Sequence, residues 1–242
     1  MPDVAMESTR YHARLLQSLG CHGTRMICLG RIISKIAIVF LHRQWESLRP
    51  LLLGLHQGHM RDASGTPPWI MQALLISGED HRFFDHAGID FIAVCRAIWR
   101  GYVLGHREGA STIEMQLVRV LTGRFERTLI RKIRESGLAT LLASAVPKHE
   151  IPVLYLRVAY YGAGMGNFSS ACKRLSLEPL NMSSCQAARL VARLKYPEPA
   201  QISEVRRAQL AQRTEHLLNL HISHVKGKEY RGLVNAAEYA PI

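Results

Sequence analysis

The chain has 242 residues, of which 48% are hydrophobic, so it can bury a sizeable core and is not disordered as a whole. Lysine and arginine total 31 against 19 acidic residues, which gives a formal net charge of +12. This excess suits an anionic membrane surface, a phosphorylated substrate or nucleic acid as partner. The five cysteines are scattered, and no pair has the spacing of a metal ribbon or a redox motif, so neither class is indicated.

The most apolar stretch near the N-terminus is residues 26–41, MICLGRIISKIAIVFL, which contains Arg31 and Lys35. A bilayer span needs about 20 mostly apolar residues, so this segment is short and interrupted by charge. It predicts membrane contact, either by spanning with Lys35 reaching the interface or by lying flat as an amphipathic anchor. A buried helix is the remaining alternative. We divide the chain into an N-terminal region with this anchor segment, 1–60, and a main domain, 61–242.

The rest of the chain predicts a mainly α fold, because apolar residues recur at steps of three and four and no alternating strand pattern is found. Pro50 is expected to break or restart a helix in the region 26–57. Asp90 is a predicted N-cap, and the Ser-Thr pair at 111–112 is a helix-start signal. Beyond the loop at 62–68, the predicted helical segments are 69–80, 89–104, 111–123, 127–146, 147–162, 183–194 and 203–220.

Four clusters carry side chains that suit chemistry: EDHRFFDHAG at 79–88, GASTIEMQ at 109–116, RKIRE at 131–135 and KHEIPVLYL at 148–156. Each has an ordinary explanation when it is taken alone. RKIRE fits a solvated ladder of charges on a helix face, and STIEMQ fits a simple N-cap. The order of the four along one chain is therefore the informative feature.

Taken together, the four clusters resemble the motifs of the peptidoglycan glycosyltransferase family, the polymerases that build bacterial cell-wall glycan from lipid II. The resemblance covers about residues 69–200. The matching positions are Glu79, Asp80, Phe83, His86 and Gly88 in the first motif, Gly109, Ser111, Thr112 and Gln116 in the second, Arg131, Lys132 and Glu135 in the third, and Lys148, Ile151, Tyr155 and Leu156 in the fourth.

The resemblance implies roles for these residues. Glu79 is expected to be the general base that takes the proton of the attacking sugar hydroxyl. Glu135 is expected to be the second catalytic carboxylate, orienting groups around the donor pyrophosphate or an associated divalent cation, Mg²⁺ or Mn²⁺. The expected substrate-binding residues are Asp80, Phe83, His86, Arg96, Ser111, Thr112, Gln116, Arg119, Arg127, Arg131 and Lys132, with Arg119 and Arg127 at phosphate-contacting positions.

The same resemblance implies a lysozyme-like helical domain at the outer (periplasmic) face of the bacterial inner membrane. Its expected partners are lipid II, the growing glycan strand, the membrane and other cell-wall synthesis proteins, but not nucleic acid, since no groove-reading motif is present. With 242 residues we expect a monofunctional enzyme that lacks a transpeptidase domain.

The sequence also departs from the family pattern, at Pro152, at Arg157 and in SSACKRL at 169–175. Pro152 is compatible with a helix only in its first turn. These departures leave two alternatives open: a catalytically impaired relative that acts as a scaffold in an envelope complex, and a lysozyme-like glycan hydrolase. The cations Arg119 and Arg127 argue against the hydrolase, because uncharged glycan offers no pyrophosphate to bind.

Overall fold

The computed structural model describes residues 24–61, 65–105 and 109–227, together with Tyr230 and Leu233. In these ranges the fold is mainly α, as predicted, and β structure is limited to isolated bridges at Gly162. Nine α-helices occur there: α1 (Thr24–Arg61), α2 (Trp69–Glu79), α3 (Phe91–Leu104), α4 (Ile113–Thr122), α5 (Leu129–Ala145), α6 (Ile151–Val158), α7 (Phe168–Leu175), α8 (Ser184–Lys195) and α9 (Glu204–Gly227).

The core forms around two central helices. α2 is strongly apolar and packs between α8 and α9, while α4 packs between α5 and α6. Because α2 also contacts α6, this helix links the group formed by α2, α8 and α9 to the group formed by α4 and α5. Fully buried side chains from all these helices make one continuous core, and representative members are Met71, Leu74, Leu117, Leu154, Leu190 and Leu217. Burial of this apolar surface is what holds the helices together.

Helix α1 corrects the expectation for Pro50, because the helix continues through that residue. The irregular backbone lies at Leu41 instead, with φ −115° and ψ 17°. A proline inside a helix costs about 3 kcal/mol, but Leu48 and Leu52 on either side of Pro50 are buried against the rest of the protein. Their burial offsets the lost hydrogen bond.

The structure describes only part of the N-terminal region, 1–60, for which membrane contact is predicted. Residues 1–23 lie outside the described ranges. Among the helices that the structure describes, none has a stretch that is both long enough and apolar enough to cross a bilayer.

The helix caps follow the local sequence signals. The Asp90 carboxylate accepts from the backbone N–H groups of Ile92 and Ala93, as a predicted N-cap should. Pro152 lies in the first turn of α6, where its missing N–H costs no hydrogen bond. The single helix predicted over 147–162 is wrong: a 3₁₀ turn at Lys148–Glu150 precedes α6, and the chain is extended from Ala159.

Candidate active site

Glu79 is the last residue of α2, and two other helices hold its carboxylate. Gln116 of α4 donates from Nε2 at 3.3 Å, and Arg213 of α9 donates from Nη2 at 2.9 Å. About one fifth of the Glu79 side chain is exposed. The predicted general base is therefore both held in place and reachable from outside.

The loop after Glu79 is a buried framework. His86 Nε2 lies 3.1 Å from both oxygens of Asp80, and the backbone N–H of Ile113 donates to Asp80 at 3.2 Å. Phe83 is 0% exposed and packs edge to face against Phe84. In this structure the Phe83 side chain packs inside the protein, and its expected substrate contact stays a prediction. Asp80 and His86 are likewise used internally.

Gly88 and Thr112 tie this loop to α4 and α5. Gly88 has φ +95°, and a Cβ there would lie 2.6 Å from the carbonyl oxygen of Ala139 in α5, so only glycine fits. The Thr112 hydroxyl donates to the Gly88 carbonyl at 2.7 Å and caps α4 by accepting from the N–H of Met115. Thr112 is buried and holds the loop in place, and it also lines a small cavity beside Glu79, so its expected substrate contact stays a prediction.

Glu135 of α5 lies under two guanidinium groups. Arg119 of α4 binds it with two parallel hydrogen bonds, Nε to Oε1 and Nη2 to Oε2, each 3.0 Å long. Arg131, one turn earlier on α5, donates to Oε1 as well. The Glu135 side chain is 3% exposed, whereas that of Arg119 is 26% exposed. Arg119 therefore presents positive charge outward while Glu135 fixes its orientation.

Helix α4 joins the two predicted catalytic carboxylates. Gln116, which binds Glu79, and Arg119, which binds Glu135, are three residues apart and so lie on the same side of the helix. Tyr155 of α6 donates its hydroxyl to Gln116 Oε1 at 2.7 Å. Burial, and then the charge of Glu79, raise the pKa of Tyr155 well above its usual value, while Arg119 lowers it slightly. The hydroxyl therefore remains a donor at any working pH.

The two carboxylates open onto different cavities. A cleft of about 520 Å³ lies between α1, α4 and α5, with an apolar wall and charged groups at its rim. Its charged lining residues are Arg124, Glu126, Arg131, Arg134 and Glu135, and its apolar ones include Leu48, Leu51, Val118, Leu121 and Leu138.

A second cavity, of about 30 Å³, lies beside Glu79 and is polar. It brings together Glu79, Arg96 and Ser111, as the sequence predicted for one site. Arg119, Arg127 and Lys132 line neither cavity; Arg127 and Lys132 are exposed, whereas Arg119 is held against Glu135 of the cleft.

Two residues that sequence reasoning missed, Arg213 and Glu114, also belong to the site. Arg213, 134 residues after Glu79, donates to Glu79 and to the Gly78 carbonyl at 2.8 Å. Glu114 of α4 is 0% exposed and pairs with Lys148, whose ammonium also lies 4.0 Å from the centre of the Phe83 ring. Nothing local marks Arg213, which resembles any arginine of an amphipathic helix. Glu114 stands two residues after a predicted cap, where an acid is an ordinary helix-start residue.

Comparison with known proteins agrees with the motifs. The transglycosylase family model matches residues 55–221, well over half of the chain. A Cupriavidus necator protein that carries the word transglycosylase in its name is 31% identical over 84% of this chain and 88% of its own length. The biosynthetic peptidoglycan transglycosylase of Rhodospirillum centenum is 34% identical over 55% of this chain. Penicillin-binding protein 1A of Streptococcus pneumoniae is 29% identical over 77% of this chain.

The chain spans 58% of the Rhodospirillum protein and 25% of the pneumococcal one. The matched range contains all four motif clusters and both glutamates. From the family match, the Cupriavidus relative and the ordered motifs together, the chain belongs to the transglycosylase family of peptidoglycan glycosyltransferases.

Proposed function

We propose that this glycosyltransferase polymerises peptidoglycan strands from lipid II by inverting transfer, with release of polyprenyl diphosphate. One observation carries the proposal: Glu79 and Glu135 are held by side chains one turn apart on α4, yet each opens onto a cavity of different character. A polar cavity beside one acid suits a sugar hydroxyl. A large, partly apolar cleft with arginines beside the other acid suits a lipid diphosphate.

In this reaction the 4-hydroxyl of the acceptor sugar attacks C1 of the donor sugar. The new C1–O4 bond forms as the bond between C1 and the diphosphate oxygen breaks, so the configuration at C1 inverts. Glu79 takes the hydroxyl proton during attack, because a neutral hydroxyl is a weak nucleophile. Hydrogen bonds from Gln116 and Arg213 orient the Glu79 carboxylate, and the Tyr155 hydroxyl holds the Gln116 amide in place.

The leaving diphosphate gathers negative charge, which cations at the cleft can stabilise. Arg119 is pre-oriented by Glu135, and Arg131 binds the same carboxylate. A guanidinium can bind a phosphate through two parallel hydrogen bonds. The apolar wall that includes Leu48 and Leu51 suits the first isoprene units of the lipid.

A divalent cation on the donor side, which the family resemblance implies, does not fit the donor atoms that the described residues offer there. Both oxygens of Glu135 are taken by Arg119, and Oε1 also receives Arg131. The other carboxylate at the cleft, Glu126, is exposed. The arginines supply the positive charge at this cleft.

Exposed apolar side chains and the positive net charge support a position of the protein at the bilayer surface. Large apolar side chains are exposed on α3, at the start of α5 and on α1, and the chain carries a net charge of +12. Such a combination favours an anionic membrane surface. We propose that these side chains rest on the outer side of the inner membrane, where lipid II is presented. The residues are Val39, Phe40, Ile98, Trp99, Tyr102, Val103, Phe125, Leu129, Ile130 and Ile133.

The decisive experiment follows the fate of lipid II. Purified protein in detergent is incubated with labelled lipid II, with Glu79→Gln as the test variant and Glu178→Gln, an exposed acid paired only with Asn181 among the described residues, as the matched control. We expect polymer from wild type and control. The Glu79→Gln rate should fall by about 10²–10⁴-fold, the usual contribution of a general base.

Other outcomes identify the alternatives. Cleavage of finished glycan without polymer would establish a hydrolase instead. A folded protein that neither makes polymer nor cleaves glycan would leave the scaffold role as the surviving explanation.

A further inference from the structure

A cluster of buried ligand-type side chains lies next to the proposed base and takes no part in the reaction above. Asp80, His86 and Glu114 are all buried, and one donor atom of each lies within 4.8 Å of the others. They come from the loop after α2 and from the first turn of α4. Two carboxylates and one imidazole form a donor set that suits a divalent transition-metal ion such as Zn²⁺.

One atom of this cluster lacks the partner that a buried polar atom needs. Among the described residues, Glu114 Oε2 has no hydrogen-bond partner. Glu114 is 0% exposed, and its other oxygen binds the Lys148 ammonium. A buried carboxylate oxygen without a partner costs free energy, and a bound cation would lower that cost by coordinating the oxygen.

The placement of the carboxylates points the same way. Asp80 and Glu114 bring two buried carboxylates into one cluster, and the Lys148 ammonium pairs with Glu114. Two carboxylates close together away from water are costly, and a divalent cation between them would offset that cost. Lys148 holds Glu114 Oε1 from the side and leaves Oε2 available as a ligand.

Two of the three ligands are already close enough to share an ion. His86 Nε2 lies 3.1 Å from each Asp80 oxygen. An ion about 2.1 Å from both the nitrogen and one oxygen would subtend an angle of about 95°, which is within the range of metal sites. Asp80 also lines the small cavity beside Glu79, which provides a route of entry.

We propose that Asp80, His86 and Glu114 bind a Zn²⁺-type divalent ion, which ties the loop behind Glu79 to the start of α4. The site is separate from Glu135 and does not depend on the reaction proposed above. Mg²⁺ prefers octahedral all-oxygen surroundings with several waters, so it should bind poorly at this buried site with an imidazole ligand.

The test measures metal binding on the full chain without lipid II, by equilibrium dialysis against Zn²⁺ and by thermal unfolding with Zn²⁺ or Mg²⁺. We expect one tight Zn²⁺ per chain, a higher unfolding temperature with Zn²⁺ than with Mg²⁺, and a Zn²⁺ dissociation constant at least about 100-fold higher in Glu114→Gln. Glu178→Gln is the matched control and Glu135→Gln reports on the cleft; both should bind Zn²⁺ like wild type.

His86→Asn is the second ligand variant, for use if Glu114→Gln does not fold. The chain has 12 histidines, so adventitious binding must be distinguished. Equal Zn²⁺ binding by wild type and a folded ligand variant would assign the ion to surface histidines and overturn the proposal. A wild-type chain that binds no Zn²⁺ would overturn it too and leave a buried water as the occupant.

Discussion

The surroundings of Glu79 and of Glu135 differ in how completely the protein fills them. Beside Glu79, the loop 80–88 uses its own polar groups, and about 30 Å³ of space remains. Beside Glu135, a cleft of about 520 Å³ stays open with an apolar wall. The difference indicates that the base is preorganised by internal contacts, whereas the donor side is shaped for a large ligand that the protein does not itself supply.

The strongest way to test this contrast, after the Glu79→Gln experiment, is Arg119→Met. We expect kcat/KM for lipid II to fall by about 10²-fold, because a preorganised charge at the leaving group is lost. Arg119→Lys should recover part of the rate, since it keeps the charge without the two parallel hydrogen bonds.

Arg127→Met is the comparison for that experiment, because Arg127 is exposed, whereas Arg119 is held against Glu135, which lines the cleft. It should remain close to wild type in the same steady-state assay. Equal losses at Arg119 and Arg127 would mean that general surface charge, and not the cleft, binds the diphosphate.

On the Glu79 side, Arg213→Met tests preorganisation. Without this guanidinium the carboxylate loses the 2.9 Å contact that aims it. We expect kcat to fall about tenfold with little change in KM, because orientation and not substrate binding is affected. Steady-state kinetics would show this split, and Arg213→Lys should restore part of kcat. A change confined to KM would instead place Arg213 in substrate binding.

The Thr112→Val variant tests whether the Thr112 hydroxyl stabilises the fold by holding the loop after Glu79 in place. The variant removes the hydroxyl that caps α4 and that donates to the Gly88 carbonyl. Urea unfolding should show a loss of about 1–2 kcal/mol. Thr122→Val is the matched control, because its hydroxyl binds only carbonyls of its own helix, and it should change stability little. Unchanged stability with lost activity in Thr112→Val would support the predicted substrate contact.

The smallest expected effect comes from His221, which lines neither cavity. Burial, and then the neighbouring His224, lower the pKa of His221, which contacts Tyr230 at 2.9 Å and the ring of Trp69. As the pH falls through the unfolded value of about 6.5, the unfolded chain takes up a proton more readily than the folded one. Stability should therefore be full above that pH and decrease below it. His221→Gln should weaken this dependence in thermal unfolding measured at several pH values.

Much of the fold followed from local patterns. The helical periodicity, the Asp90 cap and the first-turn proline at 152 are short-range features, and each appears in the structure as predicted. Pro50 shows the limit of such reasoning. The local rule for proline predicts that the helix ends there, but the burial of Leu48 and Leu52 stabilises the helix on both sides of Pro50.

The sequence by itself determined which residue types this chain offers for glycosyl transfer, and their order along it, because motif spacing and helix periodicity are local properties. Only the tertiary structure decided that Phe83 and Thr112 face inward, that Arg119 stands over Glu135, and that Arg213 reaches Glu79 from 134 residues away. Burial and pairing between distant segments depend on how helices pack, and helix packing brings together residues that no local pattern connects.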